Sequence, residues 1–542
     1  MFGLMQDWPL TVDKILDHAR INHAHREIVT RSVEGPITRT TYARVFDRAK
    51  QVSAALILRG VRLGDRVATL AWNTERHIET WYGAMGIGAV LHTLNPRLFP
   101  EQLIYIANHA EDKVLFFDAT FLPLVEAIAE KLTHTELFVL YGAKGAAASA
   151  KIKNLISYED LIDGLPCDAP WGGFDERTAA GLCYTSGTTG NPKGVLYSHR
   201  SNVLHTLLTM QKDAMGVSAT DTILPVVPMF HANAWGVAMS APACGAKLVM
   251  PGPKLDGASI FELLETERVT FTAAVPTVWL MLLQYLEQTG QRPTTLKKVV
   301  IGGAAVPEKT LRAFEDIYGV EVIHAWGMTE LSPLGSLGAM VPETLAMERE
   351  AQVKMKLKQG RAPFGVEMKI VDDHGKEQIR DGRAYGRLVV RGPAIAKSYF
   401  KGEGGNPLDA DGFFDTGDVA TLDELGYMQI TDRAKDVIKS GGEWISTMDI
   451  ENIALGAPGV ANAAVIGRPH PKWDERPLLI IEPAQGASPT KEQLLSYLDG
   501  KIAKWWTPDD VVTVEKIPLG ATGKINKLAL REMFKDYVLP TA

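Results

Sequence analysis

A segment rich in glycine and hydroxyl side chains lies between two strand-like runs at residues 184–199. Glycines allow backbone N–H groups to turn toward an anion, hydroxyl groups add donors, and a lysine adds a positive charge at one point. The segment therefore predicts a phosphate-binding loop. The residues expected to contact phosphate are Thr185, Ser186, Gly187, Thr188, Thr189, Gly190 and Lys193.

This loop differs from the Walker phosphate loop. In a Walker loop the lysine is followed by serine or threonine and leads into a helix. Here Lys193 is followed by Gly194 and by an alternating, strand-like run at 195–198. We therefore expect a β-hairpin that covers phosphates as a flexible lid. Without other motifs, a solvated glycine-rich turn is the alternative interpretation.

Residues 184–194 resemble the signature loop of the adenylate-forming superfamily, which includes acyl-CoA synthetases, peptide-synthetase adenylation domains and beetle luciferases. The resemblance covers essentially the whole chain, because further motifs follow in the family's order. It implies an AMP-forming acid–thiol ligase. Such an enzyme uses ATP and Mg²⁺ to convert a carboxylic acid into an acyl adenylate, and then transfers the acyl group to CoA.

Residues 325–330 are similar to the family's aromatic-Gly-x-Thr-Glu motif. The resemblance implies that Trp326 stacks on adenine, that Thr329 donates to the α-phosphate and that Glu330 binds Mg²⁺. Taken alone, Trp326 would more often be a core residue. Together with the strand end at 302–305, the motif gives the expected ATP-binding residues Gly303, Ala304, Ala305, Ala325, Trp326, Gly327, Met328 and Thr329.

Two later motifs are similar to the family's ribose-binding and interdomain segments. Asp418 ends the first, and an ionised carboxylate suits two ribose hydroxyls because it only accepts hydrogen bonds. Arg433 is expected to reach the ribose or a phosphate, and Lys435 occupies the hinge position. The alternatives are an Asx turn and an ordinary charged linker. The family usually has Gly-Arg where this chain has Asp432-Arg433.

The C-terminal Gly523-Lys524 pair resembles the turn that carries the mobile catalytic lysine of the adenylation step. A solvated turn is the alternative interpretation. The resemblance implies that Lys524 also contacts ATP, and the expected catalytic residues are Lys524, Thr185, Glu330 and Lys439. The face that receives CoA in the second half-reaction is expected at Lys439, Gly441, Gly442, Glu443 and Trp444.

The segment 230–236 matches the family segment that forms the wall of the acyl site. The large Trp235 beside small residues suggests a shallow, apolar cavity. For His231, a satisfied core histidine is the alternative interpretation. The expected acyl-binding residues are His231, Trp235, Gly302, Gly327 and Pro333.

Residues 5–11, the His231 segment and 440–446 look like the bacterial short- and medium-chain branch that includes 3-methylmercaptopropionate-CoA ligases. We expect 3-methylmercaptopropionate as the acid, although a thioether and a methylene differ little in size. The alternatives are a general medium-chain fatty acyl-CoA synthetase or another adenylate former, such as a luciferase-like enzyme. A non-catalytic nucleotide-binding protein is disfavoured, because Glu330, Asp418, Arg433 and Lys524 occur together.

The elements that must position these residues follow from hydrophobic periodicity. Helical patterns at 41–60 and 75–86 alternate with strand-like runs, which indicates an α/β fold. We expect a large N-terminal domain of stacked α/β sheets with a small β-barrel-like subdomain, followed by a small mobile α+β C-terminal domain. The predicted bounds are 1–433 for the N-terminal domain that binds ATP and the acyl group, 434–436 for the hinge and 437–542 for the lid.

Composition limits the classes of function. The 542 residues are enough for two or more domains, and a net charge of −7 gives no reason to expect binding to nucleic acid or membranes. Three isolated cysteines support neither a disulfide framework nor a zinc cluster. With no recognisable signal peptide or membrane span, we expect a cytoplasmic enzyme. The resemblance also implies that the enzyme is a homodimer and that its partners are a small carboxylic acid and CoA.

Overall fold

The structure is a computed structural model of the chain. It describes all residues except 2, 186–190, 434–435, 442 and 520–524, and at 443 and 444 it describes the backbone alone.

The chain divides into two compact units. The first comprises Met1–Thr185, Pro192–Glu367 and Arg391–Leu408, and the second comprises Met368–Val390 and Asp409–Ala542. The second unit thus holds the predicted C-terminal domain together with residues that precede the predicted hinge. The boundary at residue 433 and the hinge at 434–436 stay predictions.

The described residues form twenty-four strands. In chain order they are β1 (Glu27–Arg31), β2 (Ile37–Thr41), β3 (Arg66–Leu70), β4 (Val90–Thr93), β5 (Asp112–Asp118), β6 (Leu137–Tyr141), β7 (Leu155–Ser157), β8 (Ala179–Tyr184), β9 (Gly194–Ser198), β10 (Thr222–Pro225), β11 (Lys247–Met250), β12 (Phe271–Ala274), β13 (Lys298–Gly302), β14 (Glu321–Gly327), β15 (Leu334–Leu337), β16 (Glu367–Val371), β17 (Tyr385–Arg391), β18 (Phe414–Leu422), β19 (Met428–Arg433), β20 (Ile438–Ser440), β21 (Glu443–Ile445), β22 (Val460–His470), β23 (Asp474–Pro483) and β24 (Asp510–Thr513).

Sixteen α-helices accompany the strands in the same part of the chain. They are α1 (Asp13–Asn22), α2 (Tyr42–Leu58), α3 (Glu75–Gly86), α4 (Pro100–Ala110), α5 (Leu122–Ile128), α6 (Tyr158–Ile162), α7 (His199–Met210), α8 (Val237–Cys244), α9 (Gly257–Thr266), α10 (Pro276–Thr289), α11 (Glu308–Arg312), α12 (Pro342–Leu345), α13 (Arg349–Leu357), α14 (Thr447–Leu455), α15 (Lys491–Leu498) and α16 (Lys527–Met533). Among these helices none is long and apolar enough to cross a membrane.

Local sequence explains where the predicted helices begin. Helix α2 starts after Thr41, whose side chain accepts a hydrogen bond from the Arg44 N–H at 3.3 Å and so caps the first turn. Thr74 caps α3 in the same way through the His77 N–H. The patterns at 41–60 and 75–86 therefore predicted real helices.

The first unit contains two sheets. One has eight strands in the order β15-β14-β13-β12-β10-β11-β1-β2, and the other has seven in the order β7-β6-β5-β3-β4-β8-β9. Neighbouring strands are parallel except for the edge strands β15, β2 and β9, which pair antiparallel. One hydrophobic core includes residues of both sheets, among them Val67, Phe116, Leu248 and Val300. The predicted stacked α/β sheets are confirmed.

The second unit contains two smaller sheets. Strands β16-β17-β18-β19 form a four-stranded sheet in a linear order, in which β18 is antiparallel to both β17 and β19. The long antiparallel pair β22–β23 is the centre of the other sheet, to which β20, β21 and β24 are added. Helices α14, α15 and α16 follow the predicted α+β pattern of the C-terminal region.

Burial of histidines in the first unit leads to a prediction about acid stability. His77 is fully buried in α3, and burial lowers its pKa to about 4. In the unfolded chain the His77 imidazole binds a proton near pH 6.5. The free energy of unfolding is therefore fully retained above that pH and decreases as the pH falls toward 4. Between pH 7 and pH 5 this one side chain lowers the free energy of unfolding by about 2 kcal/mol.

The test compares a His77→Gln variant with the wild type by urea unfolding at both pH values. A comparison is needed because burial raises the pKa of Glu79 to about 7, which opposes the trend. The variant is expected to lose about 2 kcal/mol less on acidification. His18→Gln, at an exposed position of α1, should keep the wild-type slope. Equal slopes for all three proteins would contradict the prediction.

Candidate active site

Several predicted site segments follow neighbouring strands of the eight-stranded sheet. Strands β14, β13, β12 and β10 are adjacent and parallel. Residues 303–305 follow β13, 328–330 follow β14 and 226–235 follow β10. Because the carboxyl ends of parallel strands meet at one edge, the topology brings these segments together. This edge is the usual place for a ligand in an open α/β sheet.

The backbone at this edge is closely packed and partly exposed. Gly303 and Ala304 are exposed directly after the buried end of β13. Gly327 is also exposed, and a Cβ atom on it would lie 2.0 Å from the Pro333 carbonyl oxygen. The same oxygen accepts a hydrogen bond from the Met328 N–H at 3.0 Å. A glycine is required at 327 because the two chain segments approach this closely.

Trp326 is a largely buried residue of β14, with 7% of its surface exposed. Its indole packs against Gly335 of β15, where a Cβ atom would lie 2.2 Å from the ring. The tryptophan therefore has a structural role in the β14–β15 contact, as the core interpretation expected. Its stacking on adenine stays a prediction.

Glu330 lies in a short 3₁₀ helix, Thr329–Leu331, and is 5% exposed. The Tyr399 hydroxyl donates a 2.7 Å hydrogen bond to its Oε1 atom. The neighbouring Thr329 carbonyl oxygen accepts from the buried Tyr197 hydroxyl of β9 at 2.7 Å. The predicted magnesium ligand is thus held by Tyr399, which the sequence motifs do not include, and the residue before it is held by Tyr197.

The described ends of the phosphate loop form a hairpin, as predicted. Strands β8 and β9 pair antiparallel, with Tyr184 opposite Gly194. Beyond them, the Thr185 N–H donates to the Lys193 carbonyl oxygen at 2.9 Å, and the Lys193 N–H donates to the Thr185 side chain at 3.2 Å. The loop differs from a Walker loop because a strand, and not a helix, follows the lysine.

The side chain of Lys193 lies against the segment that carries Tyr399. Its Nζ atom is 4.9 Å from the centroid of the Tyr399 ring, within the range of a cation–π contact. It also lies over Gly404, where a Cβ atom would be 2.5 Å from Nζ. Tyr399 therefore contacts both Lys193 and Glu330. Sequence reasoning missed it, since nothing in its spacing relates it to either residue.

Trp235 lies in an unusual left-handed turn at 232–236. Each of these five residues has a positive φ, between 43° at Ala232 and 81° at Gly236. The left-handed conformation costs roughly 1–2 kcal/mol per non-glycine residue, so contacts around the turn must offset the strain. The Trp235 indole covers Gly302, where a Cβ atom would lie 3.2 Å from the ring. Two predicted acyl-binding residues are thus in contact.

His231 is exposed, so it is not a core histidine. The buried histidine of this region is His205 of α7, which the sequence reasoning did not identify. Its Nε2 atom accepts a hydrogen bond from the Leu334 N–H at 3.2 Å, and its ring lies under Gly236. Burial lowers the pKa of His205 to about 3, which keeps the ring neutral.

In the second unit, Asp418 and Arg433, two of the predicted ATP-binding residues, form an ion pair with each other. They lie opposite each other in β18 and β19, and the Arg433 Nε atom is 2.8 Å from Asp418 Oδ1. Asp418 is 3% exposed, and its N–H donates to the Thr416 hydroxyl at 3.1 Å. The arginine offsets the cost of burying this carboxylate. Their contacts with ribose or phosphate stay predictions.

Asp432 has a larger structural role than its single departure from the family motif suggested. It is buried, and its Oδ2 atom accepts hydrogen bonds from both the N–H and the hydroxyl of Thr447 at 2.6 Å. Burial raises the pKa of Asp432. The Lys527 ammonium donates to the same Thr447 hydroxyl and lies 2.8 Å from Glu451. Asp432 therefore ties β19 to the first turn of α14.

The described part of the predicted CoA face is a hairpin. Lys439 is exposed in β20 opposite Trp444 of β21. Gly441 has φ of 59°, its N–H donates to the Trp473 carbonyl oxygen at 2.9 Å, and a Cβ atom there would lie 2.9 Å from the Trp473 ring. Glycine is needed at this turn, and Trp473 is a neighbour that the motif did not include.

Several predicted site residues lie outside the described residues. They are Ser186, Gly187, Thr188, Thr189 and Gly190 of the phosphate loop, the hinge residue Lys435, Gly442 of the CoA face and the catalytic Lys524, and the side chains of Glu443 and Trp444 are also outside. Their roles stay predictions.

The donors present fit a Mg²⁺ ion that arrives with ATP. Magnesium prefers oxygen ligands and usually binds one or two carboxylates together with substrate phosphates. Within the described ranges, no group of three or more His, Cys, Asp or Glu side chains could hold a metal by itself. The buried and oriented carboxylate of Glu330 is suited to the single protein contact that such an ion needs.

Comparison with known protein families identifies the class of protein. The family model "AMP-binding enzyme" matches residues 17–400, and "AMP-binding enzyme C-terminal domain" matches 449–524. The chain therefore belongs to the AMP-binding enzyme family. This confirms the resemblance to the adenylate-forming superfamily that the motifs carried.

Similar proteins narrow the class further. The chain is 51% identical to the 3-methylmercaptopropionyl-CoA ligase of Ruegeria pomeroyi, over 99% of each chain. It is 48% identical to the medium-chain-fatty-acid–CoA ligase of Ectopseudomonas oleovorans, over 99% of this chain and 98% of the other. The crystal structure of the anthranilate CoA ligase AuaEII in complex with anthranoyl-AMP superposes with a TM-score of 0.84 at 25% identity, over 98% and 99% of the two chains. The predicted class, an acid–thiol ligase, is confirmed.

Proposed function

We propose that this chain converts 3-methylmercaptopropionate and CoA into the thioester at the expense of ATP. The carboxylate oxygen attacks the α-phosphorus of ATP and expels pyrophosphate, and the CoA thiolate then attacks the acyl carbon and expels AMP. The observation that carries the proposal is the carboxyl edge of the eight-stranded sheet. There, the buried carboxylate of Glu330 follows β14, and the Trp235 indole covers Gly302 at the end of the neighbouring strand β13.

Charge is the obstacle in the first half-reaction, because two anions must approach each other. Mg²⁺ bound with the phosphates would supply the largest positive charge. Glu330 would hold that ion, Thr185 and Lys193 would bind the leaving pyrophosphate, and Lys524 would contact the carboxylate and the α-phosphate. These contacts position the reactants and neutralise the charge that develops as the new bond forms.

The second half-reaction needs a different set of residues at the adenylate. We assign the CoA face to the β20–β21 hairpin, where Lys439 is exposed. Residues near Lys435 would act as the hinge about which the C-terminal region turns, so that Lys524 leaves and the hairpin arrives. Asp418 and Arg433 would hold the AMP part of the intermediate through both steps.

The acyl end of the site favours a short chain. The Trp235 indole lies over Gly302 and fills space next to the ends of β13 and β14. A wall of this size is compatible with a chain as short as that of 3-methylmercaptopropionate. The Ruegeria pomeroyi relative is named for the same acid and matches over 99% of this chain.

A general medium-chain acid is the second candidate. The 48% identity with the Ectopseudomonas oleovorans ligase favours it, and a thioether sulfur and a methylene group are similar in size and polarity. A site that admits one therefore discriminates weakly against the other. One extra or missing methylene in an apolar pocket changes the binding free energy by only about 1–3 kcal/mol.

A panel of carboxylic acids tests both candidates. Acids from acetate to octanoate, together with 3-methylmercaptopropionate, are scored by acid-dependent pyrophosphate release and by the mass of the acyl-CoA product. We expect the highest kcat/KM for 3-methylmercaptopropionate. A maximum at hexanoate or octanoate would favour the second candidate. Pyrophosphate release without any acyl-CoA would point to another adenylate former.

The Trp235→Ala variant is expected to accept longer acids. Burying each additional CH₂ group contributes about 0.8 kcal/mol, so two more groups in the vacated space should raise relative kcat/KM roughly tenfold. The measurement is the kcat/KM ratio of heptanoate to 3-methylmercaptopropionate, with Trp235→Phe as an intermediate case. Trp8→Ala, at a tryptophan that is 57% exposed, should leave the ratio unchanged. An unchanged ratio in Trp235→Ala would remove this residue from the acyl site.

The remaining expectations belong to the same proposal. We propose that Mg²⁺ accompanies ATP, that the enzyme acts in the cytoplasm as a homodimer, and that nucleic acids and membranes are not its partners. The net charge of −7 supports the last point. With 3-methylmercaptopropionate as substrate, the reaction would belong to dimethylsulfoniopropionate degradation.

A further inference from the structure

A tyrosine outside the predicted motifs contacts two of the proposed ATP-handling residues. The Tyr399 hydroxyl donates to Glu330 Oε1 at 2.7 Å. The Tyr399 ring lies 4.9 Å below the Lys193 ammonium. One side chain thus touches the proposed metal ligand through its polar end and the phosphate-loop lysine through its face.

Tyr399 lies in the segment 394–403, which is fixed at several points. The Ser332 hydroxyl donates to the Ala394 carbonyl oxygen at 2.7 Å, and the Ala396 N–H donates to the Glu330 carbonyl oxygen at 2.8 Å. Both bonds connect the segment to the chain immediately around Glu330. The position of Tyr399 relative to Glu330 is therefore set by the backbone as well as by its own hydrogen bond.

The far end of the segment is anchored to α4. Glu403 accepts a 3.0 Å hydrogen bond from the Tyr105 hydroxyl and lies 3.5 Å from His109. His109 in turn contacts the Tyr184 hydroxyl at 2.7 Å, at the base of the loop hairpin. Tyr399 also packs against the buried cluster of Cys183 in β8 with Val195 and Tyr197 in β9. The segment thus joins the hairpin to the Glu330 turn.

Each contact has a defined physical effect. A hydrogen bond to one carboxylate oxygen restricts rotation of the Glu330 side chain. Such outer contacts to a metal ligand typically contribute about 10- to 100-fold to metal affinity or activity. The negative face of an aromatic ring attracts an ammonium group and limits its conformations. Removing the hydroxyl and removing the ring therefore have separable consequences.

We propose that Tyr399 is a positioning residue that orients Glu330 toward Mg²⁺ and holds Lys193 at the phosphates of the nucleotide. The inference rests on the proposed function, because it assigns those roles to Glu330 and Lys193. It goes beyond that function by coupling the metal site and the phosphate loop through one side chain. Tyr399 does not touch the reacting atoms.

The Tyr399→Phe variant separates the hydroxyl from the ring. We expect the Mg²⁺ concentration for half-maximal pyrophosphate release to rise about 10- to 100-fold, while KM for the acid stays unchanged. In parallel, the increase in thermal midpoint caused by ATP with Mg²⁺ should fall toward that caused by ATP with EDTA. This second readout measures binding and does not require turnover.

The Tyr399→Leu variant removes the ring as well and should raise KM for ATP in the manner of Lys193→Ala. In the Lys193→Ala background, Tyr399→Leu should therefore raise KM for ATP no further than Tyr399→Phe does, because the contact between the ring and the lysine is already lost. Tyr318→Phe is the matched control. This tyrosine also has a cation over its ring, Arg292 at 5.3 Å, but it precedes the amino end of β14, opposite the site edge.

Wild-type Mg²⁺ dependence and wild-type stabilisation by MgATP in Tyr399→Phe would overturn the inference. If Tyr399→Leu does not fold, the phenylalanine variant alone decides it. Failure of the proposed function is distinguishable, because the wild-type enzyme would then release no pyrophosphate with any acid. The MgATP-dependent thermal shift of the variants would still report whether Tyr399 supports nucleotide binding.

Discussion

The Lys524→Ala variant is expected to lose acyl-adenylate formation by a factor on the order of 10² to 10³ or more. The carboxylate and the α-phosphate are both anionic, and in the proposed mechanism Lys524 contacts both of them. Without its charge, the repulsion opposes bond formation in every encounter. The measurement is acid-dependent pyrophosphate release in single-turnover experiments without CoA.

The comparison with Lys193→Ala makes this prediction specific. Lys193 contacts Tyr399 and Gly404 on the first unit, and its proposed partner is the leaving pyrophosphate. Its loss should weaken the use of ATP moderately, mainly through KM. A Lys524→Ala enzyme should also still form acyl-CoA from a supplied acyl adenylate. A larger loss in Lys193→Ala than in Lys524→Ala would overturn the assignment of the catalytic lysine.

The Glu330→Gln variant is expected to show the second largest effect, a loss of adenylation on the order of 10²-fold. Glutamine has nearly the same shape and keeps an oxygen that can accept from the Tyr399 hydroxyl. It lacks the negative charge that attracts a divalent cation. The loss therefore reports the metal and not the packing, and raising Mg²⁺ should restore only part of the rate.

A matched variant controls for the general effect of removing a carboxylate. Glu343→Gln changes an exposed residue near the start of α12 and should leave both the rate and the Mg²⁺ dependence unchanged. The Glu330→Gln variant should also lose more activity than Tyr399→Phe. The first change removes the negative charge of the metal ligand, whereas the second affects only the orientation of that ligand. If Glu330→Gln keeps the wild-type Mg²⁺ dependence, the assignment of Glu330 as the metal ligand is wrong.

Much of the architecture could be predicted because it depends on local patterns. The helix after Thr41 begins where a hydroxyl cap precedes an apolar 3.6-residue period, and the periods of strand and helix alternate as in an α/β fold. The hairpin character of the phosphate loop followed from the strand-like run after Lys193. Each of these features needs only residues a few positions apart.

The long-range contacts of the site could not be predicted. Tyr399 and Glu330 are separated by 69 positions, and His205 and Leu334 by 129. No periodicity or spacing connects such pairs. The left-handed turn before Gly236 was also missed, because four of its five residues are ones for which a positive φ is unfavourable. Tertiary packing offsets that cost, and packing is not visible in the sequence.

The sequence by itself determined the class of this protein. The chemistry of adenylate formation suits the residue types of its phosphate loop, of Thr329 and Glu330, of Asp418 and of Lys524. The order of these residues along the chain carried the family resemblance. Only the tertiary structure decided how Glu330 is oriented and what lies against Lys193. The physical reason is that orientation depends on contacts from distant segments, here Tyr399, which become neighbours only when the sheets are folded.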